Sequence, residues 1–259
     1  MRNIARLAVA AGLYMTSSIA GHTEAPKPTI VLVHGAFADS SSWNRVVILL
    51  ETDGYSVKAV ANPLRGIKND GEYVAGVIKT LKGPVVLVGH SYGGSVISDA
   101  AVGAHNVKAL VFVAAFAPEK GESAAELSAK FPGSSLAPTL AEPVALPGGA
   151  KDLYIEQSNF PNQFAADVPV GTARLMAVAQ RPITDAALAE PAPEAAWKAT
   201  PSWFIYGDAD KNIPAKALQW MADRAKSRKT IVVQGASHVV MISHPGEVTK
   251  LIEEAASAN

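Results

Sequence analysis

The chain has 259 residues, 49% apolar and 18% charged, enough to bury one large core in a domain of ordinary α/β size. Lys and Arg number 23, as do Asp and Glu, so no basic field points to nucleic acid and no acidic tail to a basic partner. With no cysteine, disulfides, thiolate catalysis, cysteine-ligated zinc and lipoprotein anchoring are excluded.

Residues 1–20 read as a leader. Arg2 and Arg6 form a positive start, Leu7 to Met15 a short apolar stretch, and Ser18-Ile19-Ala20 a small-x-small cleavage pattern. The apolar stretch is too short to span a bilayer. The expectation is a secretory signal peptide cut after Ala20 and an exported chain, periplasmic or secreted, spanning 21–259. No stable membrane association is expected after cleavage.

Beyond a loose start over His22 to Pro28, apolar or β-branched runs alternate with helical stripes. Thr29–Val33 is the first run, followed by the loop HGAFADSSSW and a stripe of Trp43, Val46, Val47 and Leu50. Ser56–Ala61 precedes a stripe of Tyr73, Val74, Val77, Ile78 and Leu81. Val85–Val88 leads into a helix of small residues over 92–104, and Leu110–Val113 is the fourth run. After a long interruption come Ser202–Tyr206, a stripe of Leu218, Met221, Ala222 and Ala225, the run Thr230–Val233, and a last stripe of Val248, Leu251, Ile252 and Ala255. Runs without strict alternation suit strands covered on both faces, so the pattern predicts a doubly wound, mostly parallel sheet.

The interruption, 118–201, carries eleven prolines, counting Pro118 and Pro201 at its ends, and no clean alternation. It is too long for a simple connection and is expected to be a mostly helical cap. Phe160 and Phe164 lie one helical turn apart and are expected to face substrate together.

The chemistry-bearing stretch is VVLVGHSYGGS, Val85 to Ser95. A buried strand runs into Gly89-His90-Ser91-Tyr92-Gly93 and then a helix. Such a turn holds Ser91 out as a nucleophile, with Gly89 and Gly93 bare because side chains would strike the neighbouring strand and helix. The Tyr92 amide then lies at a helix N-terminus, suited to an oxyanion. Serine needs a base. Of six histidines, His238 follows the run 230–233 on the edge where ligands gather in open α/β sheets. His244 opens the last helix, His90 points away from Ser91, His105 lies on the far side of its helix, His22 is near the cleavage site, and His34 hydrogen-bonds behind the first loop. Asp208 and Asp210 both follow the run 202–206. Asp210, further into the loop, is expected to orient His238, and Asp208 to cap the turn, with Glu119 next if neither acts. Gly35 lets the first loop approach Ser91, so the Ala36 amide is the second oxyanion donor, with Phe37 next in line or lining the acyl pocket.

HGAF, GHSYGG, GDAD and GASH, in that order and over nearly the whole mature chain, resemble the α/β-hydrolase superfamily. HGAFADSSSW and FVAAFAPEKGES are similar to the small esterases of the plant methylesterase and hydroxynitrile lyase group, although the second histidine after HGA is missing. The resemblance implies Ser91 as nucleophile, Asp210 as acid, His238 as base and the Ala36 and Tyr92 amides as oxyanion hole. It does not identify a substrate; the residues together are read as a serine hydrolase of small to medium carboxylic esters working through an acyl-enzyme, with a small-molecule ester as partner and no metal or cofactor expected. The same triad could carry hydroxynitrile lysis or C–C hydrolysis. Plant-type lyases place a lysine near the histidine and a threonine beside the first loop, where this chain has Ala36 and Phe37. A binding protein that keeps the fold without catalysis is the third reading.

Overall fold

The computed structural model describes residues 26–258, so the expected leader lies outside the described residues. Six parallel strands form the central sheet: β1 (Thr29–Val33), β2 (Val57–Val60), β3 (Val85–His90), β4 (Val107–Val113), β8 (Ser202–Gly207) and β9 (Lys229–Val233). Their order is β2-β1-β3-β4-β8-β9. All of β3 and β8 is buried, which explains their continuous apolar runs. Helices α1 (Asn44–Thr52), α2 (Ile67–Lys79), α3 (Tyr92–Ala100), α8 (Ala215–Arg224), α9 (Val240–Ser243) and α10 (Pro245–Ser257) cover the faces.

Strand order reverses between β1 and β3, because β2 lies outside β1 and the chain then returns to β3 on the other side. In such sheets the crevice at the reversal collects ligand chemistry. Val33 of β1 pairs with Gly89 of β3, so the loop after Gly35 and the turn at Ser91 leave the sheet side by side.

The stripe through Tyr73 needs correcting. The buried line of α2 is Ile67, Asp70, Gly71, Val74 and Ile78, whereas Tyr73 is 47% exposed. A buried carboxylate, Asp70, belongs to the core face, and an apolar pattern passes over it. The helix at 92 also ends at Ala100, short of 104.

Residues 118–201 lie between β4 and β8. They hold α4 (Ala124–Ala129), α5 (Phe160–Phe164), α6 (Val170–Ala179) and α7 (Asp185–Ala189). They also hold a small antiparallel sheet that the sequence did not suggest: β5 (Val144–Ala145), β6 (Lys151–Leu153) and β7 (Ile183–Thr184). Strands of two or three residues are too short to show a period. The insertion is tied down by an Arg65–Asp152 ion pair and by the Thr184 N–H donating to Leu64 O at 3.2 Å. At its neck, Trp197 Nε1–H donates to Pro118 O at 2.8 Å.

Candidate active site

Ser91 stands between β3 and α3 with φ 54° and ψ −124°, outside the regions L-residues favour. That conformation costs on the order of 1–3 kcal/mol and survives only where surroundings enforce it. Here close backbone contact enforces it. A Cβ on Gly93 would lie 2.5 Å from Val33 O, and one on Gly89 would lie 2.6 Å from Gly93 O. The Ser91 carbonyl accepts from Gly94 N–H at 3.0 Å and Phe116 N–H at 3.1 Å.

His238 reaches this serine from the loop after β9. Its Nε2 is 2.9 Å from Ser91 Oγ, and its Nδ1 is 2.7 Å from Asp210 Oδ2. A carboxylate only accepts, so Nδ1 carries the proton and Nε2 is left to accept from the serine. The His238 side chain is 1% exposed and that of Asp210 fully buried. The second oxygen of Asp210 is held by the amides of Asn212, at 2.8 Å, and Ile213, at 3.0 Å. Asp208 is exposed and its Oδ1 accepts from Gly235 N–H at 2.6 Å, which makes it a clasp between the loops after β8 and β9. Gly207 lets those loops meet, since a Cβ there would lie 2.0 Å from Ala236 O. Glu119 is engaged with Lys198 on the surface.

The first loop supplies the other wall. A Cβ on Gly35 would lie 2.5 Å from the Ser91 Cβ, so only glycine permits this approach. Neither the Ala36 nor the Tyr92 N–H has an acceptor among the described residues. The Phe37 amide is already given to Arg181 O at 2.9 Å, with Phe37 at φ 59°. Two free amides beside a serine hydroxyl could hold an oxyanion, and Phe37 is not one of them. The Tyr92 phenol donates to buried Asp70 at 3.1 Å, whose carboxyl is pushed up by burial. That bond anchors the residue after the serine to α2.

A cavity of about 350 Å³ opens over Ser91 and His238. Phe37, Phe116, Phe164, Leu136, Leu140 and Ile213 are among its apolar walls, and among the described residues no Lys, Arg, Asp or Glu lines it. Helix α4 turns Ala124, Ala125, Ser128 and Ala129 toward it. Phe164 packs edge-on against Phe37 at 6.1 Å and against His238 at 5.1 Å. The expectation that Phe160 shares this role is corrected. Phe160 is fully buried and lies 4.8 Å behind Phe164, outside the cavity wall. The two rings do meet on one face of the helix, but that face is stacked in depth: Phe164 meets the cavity and Phe160, behind it, is lid core.

His34 sits as expected behind the first loop. Asn62 N–H donates to its Nε2 at 3.0 Å and its Nδ1–H donates to Gly35 O at 2.9 Å. Burial pushes its pKa down, which keeps this neutral tautomer. His244 precedes α10 and stays outside the cavity wall. Two contributors escaped the sequence: α4, whose small side chains carried no signal, and His90, which faces away from Ser91 and meets His238 instead. Its one clue was its place beside the serine.

The model described as the alpha/beta hydrolase family matches residues 30–251. An alpha-hydroxynitrile lyase of Arabidopsis thaliana is 27% identical over 252 residues, 85% of this chain and 93% of that protein. Methylesterase 1 of the same plant is 25% identical over 249 residues, 87% of this chain and 95% of that protein. The crystal structure of polyneuridine aldehyde esterase is similar with a TM-score of 0.77 at 22% identity, covering 90% of this chain and all of that one. With the model spanning most of its length, the chain belongs to the alpha/beta hydrolase family and, within it, resembles the plant methylesterase group.

Proposed function

We propose that this protein is a serine esterase acting on uncharged carboxylic esters of small to medium size. The observation that carries the reading is the unbroken chain Asp210–His238–Ser91, with spacings of 2.7 and 2.9 Å, beneath a cavity that no Lys, Arg, Asp or Glu lines among the described residues. Ser91 Oγ attacks the ester carbonyl while His238 Nε2 takes its proton. The carbonyl oxygen, now anionic, receives the N–H groups of Ala36 and Tyr92. The tetrahedral intermediate collapses, the C–O bond to the alcohol breaks, and the imidazolium returns its proton to the leaving alkoxide. Water, deprotonated by the same nitrogen, then attacks the acyl-enzyme, releasing the acid and restoring Ser91. Asp210 holds the tautomer throughout and stabilises the imidazolium.

Similarity to a methylesterase and an esterase supports ester chemistry, and similarity to a hydroxynitrile lyase names the rival. Release of cyanide creates an anion that a neighbouring cation would stabilise, and among the described residues no Lys or Arg lines the cavity. The test is a panel of p-nitrophenyl esters of rising acyl length beside mandelonitrile, with fluorophosphonate labelling. Ester turnover and one label on Ser91 are expected, with turnover falling by about four orders of magnitude or more in Ser91→Ala. Mandelonitrile cleavage without ester turnover would make it a lyase. A chain that neither labels nor turns over would be a binding protein.

We also propose export after cleavage behind Ala20, on the charged start, short apolar stretch and small-residue site of residues 1–20. Intact mass of the protein from its native host should begin at or within a few residues of Gly21. A cytosolic chain retaining Met1 would refute export.

A further inference from the structure

His90 ends β3, one residue before Ser91, and is fully buried. Its Nε2 lies 3.0 Å from the His238 carbonyl. A carbonyl only accepts, so Nε2 carries a proton and donates. The two imidazoles are 4.8 Å apart, tilted by 52°. Trp43 and Phe164 stand edge-on to the His90 ring at 6.4 and 6.3 Å, so other rings pack against it beside that of His238. Burial, reinforced by the nearby His238, drives its pKa well below the ordinary value. The ring therefore stays neutral when His238 is charged.

The His90 backbone is held in the sheet, opposite Val113 of β4. The same strand end presents Ser91. His238 comes from another loop, 147 residues further along the chain from the serine. The side-chain bond from His90 thus spans from the element that holds the nucleophile to the main chain that holds the base.

We propose that His90 is a positioning residue: its Nε2–H, given to the His238 carbonyl, and its ring, packed on the His238 ring, fix the height of the base over Ser91. The proposal rests on the serine-esterase reading. A shift of the imidazole by about 1 Å would cost on the order of 10²-fold in rate while leaving the acyl cavity intact.

Two amide variants separate this role from core filling. In His90→Gln the side-chain nitrogen reaches where the imidazole Nε2 stood. In His90→Asn the amide is one methylene shorter and falls short of the carbonyl. Both place a similar polar group in the same buried space. His90→Gln should keep kcat within about threefold of its parent, whereas His90→Asn should lose on the order of 10²-fold in kcat and in fluorophosphonate labelling rate, with KM unchanged. Equal kcat in the two variants, or a loss confined to KM or to the melting temperature, would overturn the proposal. So would aggregation of both variants, because the Gln form is expected to fold and work. Labelling of the unsubstituted protein is the control: if Ser91 does not label there, the esterase reading fails, and if it labels and the variants do not differ, only the role of His90 fails.

Discussion

At the carboxyl edge of β1, β3 and β8, side chains have almost no freedom. Glycines 35, 89, 93 and 207 each stand where a Cβ would lie 2.6 Å or less from a neighbouring atom, and Ser91, Asp210 and His238 are all buried. The insertion over 118–201 is built differently. Its strands have two or three residues and several of its helices only five or six, and Leu175 and Val178 on α6 are more than two-thirds exposed. The edge holds Ser91, Asp210 and His238 in place through sheet strands and close backbone contact. The insertion supplies much of the cavity wall from short elements, and none of Ser91, Asp210 and His238 lies in it.

The comparison breaks most readily at the acid. In Asp210→Asn, the remaining oxygen keeps the amides of Asn212 and Ile213, so the new NH₂ faces His238 Nδ1. The imidazole must then accept there and carry its proton on Nε2, where it cannot take one from Ser91. A fall in kcat of about 10³–10⁴-fold is expected, whereas Asp208→Asn, at an exposed side chain whose oxygen accepts from the Gly235 amide, should lose less than about threefold, a surface change of about 0.5 kcal/mol at most. Steady-state kinetics on one ester decide it, and a larger loss in Asp208→Asn would reverse the assignment.

A smaller effect should appear at α4. Ser128→Phe fills part of the 350 Å³ cavity from the insertion side. The ratio of kcat/KM between long and short acyl esters should drop about tenfold, in keeping with the 1–3 kcal/mol that hydrophobic pockets discriminate, with the rate on acetate nearly constant. An equal loss on every ester would mean that α4 supports the fold without selecting substrate.

The smallest effect on turnover should come from Phe160. Buried behind Phe164, it should behave as lid core. Phe160→Ala is expected to cost about 3–5 kcal/mol of stability, read by denaturant unfolding, with acyl preference unchanged. A changed preference at full stability would return Phe160 to the cavity wall.

Much of this was legible in the sequence because its causes are local. Strands covered on both faces need continuous apolar runs, which is why all six strands of the central sheet appear near their expected ends. The serine turn demands glycines at fixed offsets, and the loops that follow strands at one sheet edge gather in one place whatever the rest of the chain does. Where the physical cause lies between distant segments, the sequence was silent or misleading. Asp70 is buried in α2 because Tyr92 and the Arg65 amide reach it, so the core face of that helix turns away from Tyr73.

By itself, then, the sequence determined the sheet, the turn that presents Ser91 and the loops that bring Asp210 and His238 to its edge, since hydrophobic period and glycine placement act over a few residues. Tertiary structure decided which amides are free for an oxyanion, because the Phe37 N–H is claimed by the carbonyl of Arg181 in the insertion. It decided that Phe164 and not Phe160 walls the cavity, and that α4 shapes it. It set His90 against the His238 main chain, a contact between residues 148 apart. Hydrogen-bond geometry and packing between segments fix these features, and no pattern within a single segment carries them.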